Sequence, residues 1–300
     1  MYPQVSFQTL CREGGRGHSG PMSETTETAV SRASVRVGDE EASHLVAGRE
    51  GPAVLLLHGT YWSRVWAPVM GGLAQAGLRP VAVDLPGLGR SGGELAREAA
   101  DVPALAGWVA RFAAELGLSG PVAVAGHDIG GAVAQYLLAR GPLEVSRLAL
   151  VNSVTYDSWP VPGVARFRDP GAAASITAEE FLAARRKAVT AALGGAATER
   201  LIAEYLDPWN DPRVRRSWMA LAGAADSRHT LDLVPALRRS AAPKLLVWGE
   251  DDGFQKVEYA ERFAAEIPRT DLVRVPGAAH IPMENAPDLV ARVLADFFTG

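Results

Sequence analysis

Gly126-His127-Asp128-Ile129-Gly130 sets a carboxylate between two glycines in the middle of the chain. The run before it, Pro121-Val122-Ala123-Val124-Ala125, is short and apolar and predicts a buried strand. The run after it, Gly131 to Leu138, predicts a helix. Strand, sharp turn and helix are the context in which G-x-S-x-G holds a serine out for attack, and aspartate takes the serine's place here. Glycine is needed on both sides because such a turn is strained and its backbone packs closely on its neighbours. The exchange changes the chemistry. A carboxylate makes an ester by displacing a leaving group at an alkyl carbon, whereas a serine attacks an acyl carbon.

Three further fragments fit around this aspartate. Leu57-His58-Gly59-Thr60 ends an earlier strand, where a loop can offer one N–H to an oxyanion. Asp84-Leu85-Pro86-Gly87-Leu88-Gly89-Arg90-Ser91 is a turn-rich segment directly after the next strand. Trp248-Gly249-Glu250-Asp251-Asp252 supplies an acid after one late strand, and Gly277-Ala278-Ala279-His280 a histidine after the next. The chain order is therefore nucleophile, acid, base.

The elements that must position these residues are legible as short apolar runs, the mark of parallel strands buried on both faces. They are Ala53 to Leu57, Pro80 to Val83, Val122 to Ala125, Leu148 to Val151, Lys244 to Trp248 and Leu272 to Val275. Ala33 to Val37 and Ala42 to Val46 alternate across an acidic turn and predict a hairpin. Helical patterns at Trp66 to Ala76, Val102 to Leu118, Gly130 to Arg140, Val257 to Ile267 and Pro287 to Phe298 separate the runs. This alternation predicts an α/β fold with a mostly parallel, doubly wound sheet. The core is expected at 31–153 and 236–300, with a helical cap at 154–235 inserted after the sixth strand. Within that cap, Thr177-Ala178-Glu179-Glu180 has capping-box spacing, and helices are expected over Thr198 to Leu206 and Val214 to Ala224. Residues 1–30 read as a disordered tail without an apolar h-region, and Met22 could be the true start.

Composition narrows the function classes. With 300 residues, 48% of them hydrophobic, the chain has ample material for a core. A net charge of -4 offers no basic face for nucleic acid or anionic lipid. The single cysteine, Cys11, excludes an internal disulfide framework and suits a cytoplasmic location. No apolar run approaches a membrane span, no metal site is visible and no dinucleotide fingerprint follows the first strand. No cofactor is expected. The expected partners are a small hydrophobic substrate and water, without nucleic acid or membrane, in a monomer or homodimer.

From about Ser34 to Phe298 the chain resembles the α/β-hydrolase fold superfamily, in particular its aspartate-nucleophile branch of epoxide hydrolases and haloalkane or haloacetate dehalogenases. The resemblance rests on His58-Gly59, the D-x-P-G-x-G-x-S segment at Asp84 to Ser91, the elbow at Gly126 to Gly130, Trp248-Gly249-x-x-Asp252 and Gly277-x-x-His280. It implies that Asp128 attacks carbon, that His280 activates water against the resulting ester, and that Asp252 rather than Asp251 orients the histidine. Backbone N–H groups of Thr60 and Ile129 would form the oxyanion hole, each donor worth about 3–4 kcal/mol. His58 and His127, beside glycines, are read as loop-holding residues, and His229 as a surface or hinge residue. Asn152, at the end of the strand after the elbow helix, stands where some dehalogenases carry their acid and cannot hold that charge.

The leaving group decides between reactions. An epoxide oxygen needs a proton donor, and Tyr61, Tyr156 and Tyr205 are the tyrosines that could reach it, with Trp159 gripping substrate. Trp209 and Trp218 are further cap candidates for gripping substrate, and for each of Tyr156, Trp159, Tyr205, Trp209 and Trp218 the plainer role is cap packing. Haloalkane dehalogenases place a tryptophan after the nucleophile, where this chain has Ile129, and many carry Asn where it has Thr60. Haloacetate dehalogenases place arginines at positions held here by Ile129 and Ala132, so a carboxylate clamp is missing. Epoxide hydrolysis ranks first, dehalogenation second, another small-molecule hydrolase third. A non-catalytic ligand-binding homologue is the alternative outside enzymology.

Overall fold

The computed structural model describes residues 29–300. The expectations for residues 1–28, Cys11 and Met22 among them, lie outside the described residues. The hairpin forms as β1 (Ser31–Val37) and β2 (Glu40–Val46), and the apolar runs form β3 (Ala53–Leu57), β4 (Arg79–Val83), β5 (Val122–Asp128), β6 (Val145–Ser153), β7 (Lys244–Gly249) and β8 (Thr270–Val275). They make one eight-stranded sheet in the order β1-β2-β4-β3-β5-β6-β7-β8. The pairs β1/β2 and β2/β4 are antiparallel; β4/β3, β3/β5, β5/β6, β6/β7 and β7/β8 are parallel.

Every residue of β5 is buried, as a central strand covered on both faces requires. The helices beside the sheet are α1 (Ala67–Gln75), α2 (Val102–Glu115) and α3 (Ile129–Arg140). Asp101 caps α2 by accepting from the Ala104 N–H at 2.8 Å, and α2 packs on α3. Between β6 and β7 the chain forms α4 (Pro162–Ala165), α5 (Pro170–Ser175), α6 (Ala178–Leu193), α7 (Glu199–Leu206), α8 (Pro212–Gly223), α9 (Arg228–Leu231) and α10 (Val234–Arg239), and no strand among the described residues. The chain ends with α11 (Val257–Glu266), α12 (Pro282–Asn285) and α13 (Pro287–Thr299), the last packed on α1.

The capping box forms at the start of α6: Glu180 N donates to Thr177 Oγ1 at 3.1 Å, and Thr177 N to Glu180 Oε2 at 2.8 Å. It fixes where α6 begins, and so which side chains that helix turns inward. Phe181, Arg185 and Val189 are buried at four-residue spacing. Position 235 falls inside α10, which packs on α3, so the helices run unbroken past the expected boundary. Among the described residues no helix is long and apolar enough to cross a membrane.

Candidate active site

The β5–α3 junction is tight enough to dictate its residues. Asp128 has φ 54° and ψ -128°, a conformation that holds its side chain off both elements. A Cβ on Gly126 would lie 2.4 Å from Gly130 O, and one on Gly130 would lie 2.4 Å from Leu57 O. Gly59 is needed for the same reason, since its Cβ would stand 2.5 Å from Ile129 N. Both sides of the elbow and the loop opposite therefore require glycine.

Asp128 is buried and held through one oxygen. Its Oδ2 accepts from Thr60 N at 3.0 Å and from Thr60 Oγ1 at 2.6 Å. Its Oδ1 receives no hydrogen bond among the described residues. The Ile129 N–H opens α3 and lacks an intrahelical acceptor, as the first donors of any helix do. His280 Nε2 lies 4.0 Å from Asp128 Oδ2, ion-pair distance but too long for a hydrogen bond. On its other side His280 Nδ1 is 2.8 Å from Asp252 Oδ2.

Asp252 is the acid that meets the histidine. Its Oδ1 accepts from Phe254 N at 2.7 Å and Gln255 N at 3.0 Å, and its Oδ2 from Asn152 Nδ2 at 2.7 Å. Asn152 in turn accepts from Gly249 N at 2.9 Å. The residue at the end of β6 thus orients an acid it cannot replace. Asp251 is exposed.

These charges settle one another. Burial disfavours the His280 cation, but Asp252 and Asp128 outweigh it and hold its pKa up at about 10. Burial likewise works against the Asp128 anion, yet His280, His127 and Thr60 keep it well below the usual carboxylate range. Burial and then His280 push His127 down to about 4; its Nε2 meets His280 O at 2.8 Å. His58 Nε2 accepts from Leu85 N at 2.9 Å, tying the Gly59 loop to the next one.

Above Asp128 is a cavity of about 260 Å³. Thr60, Tyr61, Asp128, Ile129, Phe254 and His280 line its sheet side, and Trp159, Phe167, Phe181, Arg185 and Trp218 its helical side. Of the four side chains expected to meet substrate, Tyr61 and Trp159 are among those lining this cavity. Tyr156 and Tyr205 are not: neither lines the cavity, because their hydroxyls turn to Glu266 at 3.4 Å and to Glu284 at 2.9 Å. The indole N–H groups facing the cavity are engaged, Trp218 with Thr60 O at 2.9 Å and Trp159 with Thr230 Oγ1 at 3.4 Å. Burial pushes the Tyr61 phenol above its ordinary value, so it keeps its proton. Arg185 was missed in the sequence. Its signal was a charge four residues from Phe181 and from Val189, on the stripe that α6 buries. Among the described residues no cluster of three His, Cys, Asp or Glu could hold a metal.

Residues 54–293 match the model of the alpha/beta hydrolase family. The chain is 29% identical to a haloalkane dehalogenase of Bradyrhizobium diazoefficiens, over 93% of this chain and 97% of that one. It is 32% identical to the bifunctional epoxide hydrolase 2 of Sus scrofa over 47% of this chain and 25% of that protein. A solved ancestral haloalkane dehalogenase superposes with a TM-score of 0.78 at 26% identity, covering 89% of this chain and 98% of that one. By its sheet order, its elbow and these likenesses, the chain belongs to the alpha/beta hydrolase family.

Proposed function

We propose that this hydrolase opens a small epoxide through an ester on Asp128. One observation carries the reading: Asp128 is pinned by Oδ2 while Oδ1 is bare beneath a cavity into which Tyr61 also faces. Oδ1 attacks an epoxide carbon, the C–O bond breaks, and the departing oxygen takes the Tyr61 proton. The His280 imidazolium, whose ring centre is 5.9 Å from that of Tyr61, restores the phenol. Esterification also removes one of the two anions that hold His280 protonated, which lowers the affinity of the imidazole for that proton. His280 then takes a proton from water as the water oxygen adds to the ester carbonyl. Oδ2 carries the resulting negative charge, opposite the Thr60 N–H and beside that of Ile129. Collapse releases a diol and returns the carboxylate and the imidazolium. Asp252 holds the imidazole in register through both steps.

In this reading residues 154–235 act as a cap that walls the cavity from water with Trp159, Phe181 and Trp218. A second reading, hydrolysis of a carbon–halogen bond, is favoured by the full-length likeness to a haloalkane dehalogenase. Against it stand the two cavity indoles, whose N–H groups are already committed. A panel of terminal epoxides and bromoalkanes separates the two, with diol and halide scored on the same samples. Diol without halide, lost in Asp128→Asn, is the expected result. Halide release from bromoalkanes with no diol from any epoxide would establish the second reading, and full turnover in Asp128→Asn would overturn both. In His280→Gln the ester should persist, as an intact mass raised by that of the epoxide.

A further inference from the structure

Arg185 is the group in the cavity that the proposed reaction does not use. It is only 9% exposed, on the inward stripe of α6, and among the described residues it forms no ion pair or hydrogen bond. Its Nε is buried without a partner among the described residues. The guanidinium lies 4.4 Å from the centre of the Trp218 ring and 5.0 Å from that of Trp209. Such stacking returns about 0.5–2 kcal/mol. An unpaired buried charge costs several kcal/mol, so the indoles hold the cation in position without compensating for its burial. They also leave its N–H donors, which lie in the guanidinium plane, unused among the described residues.

What the donors lack is an acceptor, and the cavity is where one can enter. Arg185 shares that cavity with Asp128 yet stands farther from it than an ion pair, leaving a gap that a ligand can span. A guanidinium fork matches two carboxylate oxygens at once. The His280 cation is already matched by Asp128 and Asp252, so the one buried cation of this cavity left unbalanced among the described residues is Arg185, which favours a monoanion over a phosphate. The surrounding walls, Val161, Val164, Phe167 and Phe181, are apolar and suit a short carbon skeleton. Arg166, exposed, lines both this cavity and the outer depression next to it, so a second cation stands on the way in.

We propose that Arg185 binds a substrate carboxylate and that the natural substrate is a small epoxy acid, its carboxylate on Arg185 and its electrophilic carbon over Asp128 Oδ1. This rests on the epoxide reading above. The clamp absent from positions 129 and 132 is supplied from the helical segment instead.

The test compares oxirane-2-carboxylate (glycidate) with its neutral counterpart glycidol in wild type, Arg185→Gln and Arg185→Lys. Arg185 also faces Tyr61, so the readout is the ratio of kcat/KM for the two epoxides, in which a general loss of rate cancels. The ratio should favour glycidate in wild type and fall about 100-fold in Arg185→Gln, the usual cost of removing one member of a buried charge pair. Arg185→Lys keeps the charge without the fork and should fall between; it also carries the test if the glutamine variant fails to fold. Calorimetric binding of propanoate, which has no leaving group, should be seen in wild type and lost in Arg185→Gln, with propanamide bound by neither. An unchanged ratio, or equal propanoate binding in wild type and a folded Arg185→Gln, would overturn the carboxylate assignment while leaving epoxide opening intact. If neither epoxide is consumed in an Asp128-dependent way, the epoxide reading fails, and propanoate binding still decides whether Arg185 holds a carboxylate.

Discussion

Asp84 and Asp128 are both buried carboxylates at the carboxyl ends of the two parallel strands that flank β3, and both accept backbone N–H groups. Asp84 is fully used. Its Oδ1 accepts from Ser63 N at 2.7 Å; its Oδ2 accepts from Arg90 N at 3.1 Å and Arg32 Nη1 at 3.0 Å. Its backbone oxygen takes the Ser91 hydroxyl at 2.6 Å, and Gly89 has no room for a Cβ beside it. The D-x-P-G-x-G-x-S segment is therefore a loop wound around its own aspartate. Asp128 has one oxygen held, one bare, and a strained backbone that keeps it there. Saturation marks the carboxylate that holds the fold. Incomplete saturation, beside a cavity and a histidine, marks the one available for chemistry.

Exchanging each for its isostere should split the two roles. Asp128→Asn is expected to lower turnover by at least about 10⁴-fold while the melting temperature stays close to wild type. Asp84→Asn sets an amide N–H against the N–H donors of Ser63, Arg90 or Arg32 and should cost about 3 kcal/mol of stability, with the folded fraction still turning over. Denaturant melts run beside steady-state rates check both. If Asp84→Asn were as stable as wild type but inactive, the contrast between the two sites would be lost.

The paired histidines extend the comparison into pH. His280 and His127 lie with ring centres 4.7 Å apart and are driven in opposite directions. His280, raised to about 10, adds stability that is fully present below its ordinary 6.5 and lost as pH rises through 10. His127, lowered to about 4, takes up its proton more readily unfolded than folded, so stability falls as pH drops from 6.5 towards 4. Asp128 loses its contribution only below its ordinary 3.8, outside that window. His127→Gln should flatten the loss between pH 6.5 and 5, where about 1–2 kcal/mol is at stake. An acid limb unchanged in that variant would assign the loss elsewhere.

The sheet and the elbow were legible because each rests on a local rule. Runs such as Ala53 to Leu57 are apolar throughout, and the glycines around Asp128 answer to steric limits set within a few residues. The cavity's helical wall was not legible in the same way. Which of Tyr156, Trp159 and Tyr205 faces substrate depends on how short helices rotate against one another, and Glu266 and Glu284, far along the chain, draw two of those hydroxyls away. Asn152 cannot carry an acid's charge, but its bond to Asp252 joins residues a hundred positions apart and leaves no sequence trace. Arg185 shows the middle case. Its place in the Phe181–Val189 stripe was visible, but only the fold reveals that the stripe faces Asp128's cavity and not the core.

The finest test of the half-used carboxylate lies in the Thr60 hydroxyl, which sits 2.6 Å from Asp128 Oδ2. In the resting enzyme that oxygen shares a full negative charge. In the ester it is a carbonyl with little charge, and when water adds it becomes an oxyanion. In the proposed mechanism the hydroxyl therefore stabilises the reactant of the first step and the transition state of the second. Thr60→Val removes it, keeps the backbone N–H that makes the 3.0 Å bond, and preserves the side chain's shape. A hydrogen bond to a charged oxygen is worth about 1.5 kcal/mol, roughly tenfold. Hydrolysis of the ester should slow by that factor, while its formation is unchanged or slightly faster. Rapid-quench measurements would then show a burst of ester followed by a slower steady state. If ester formation slowed in Thr60→Val and its hydrolysis did not, the hydroxyl would not be stabilising an oxyanion on Oδ2, and the assignment of that role to Oδ2 would fall.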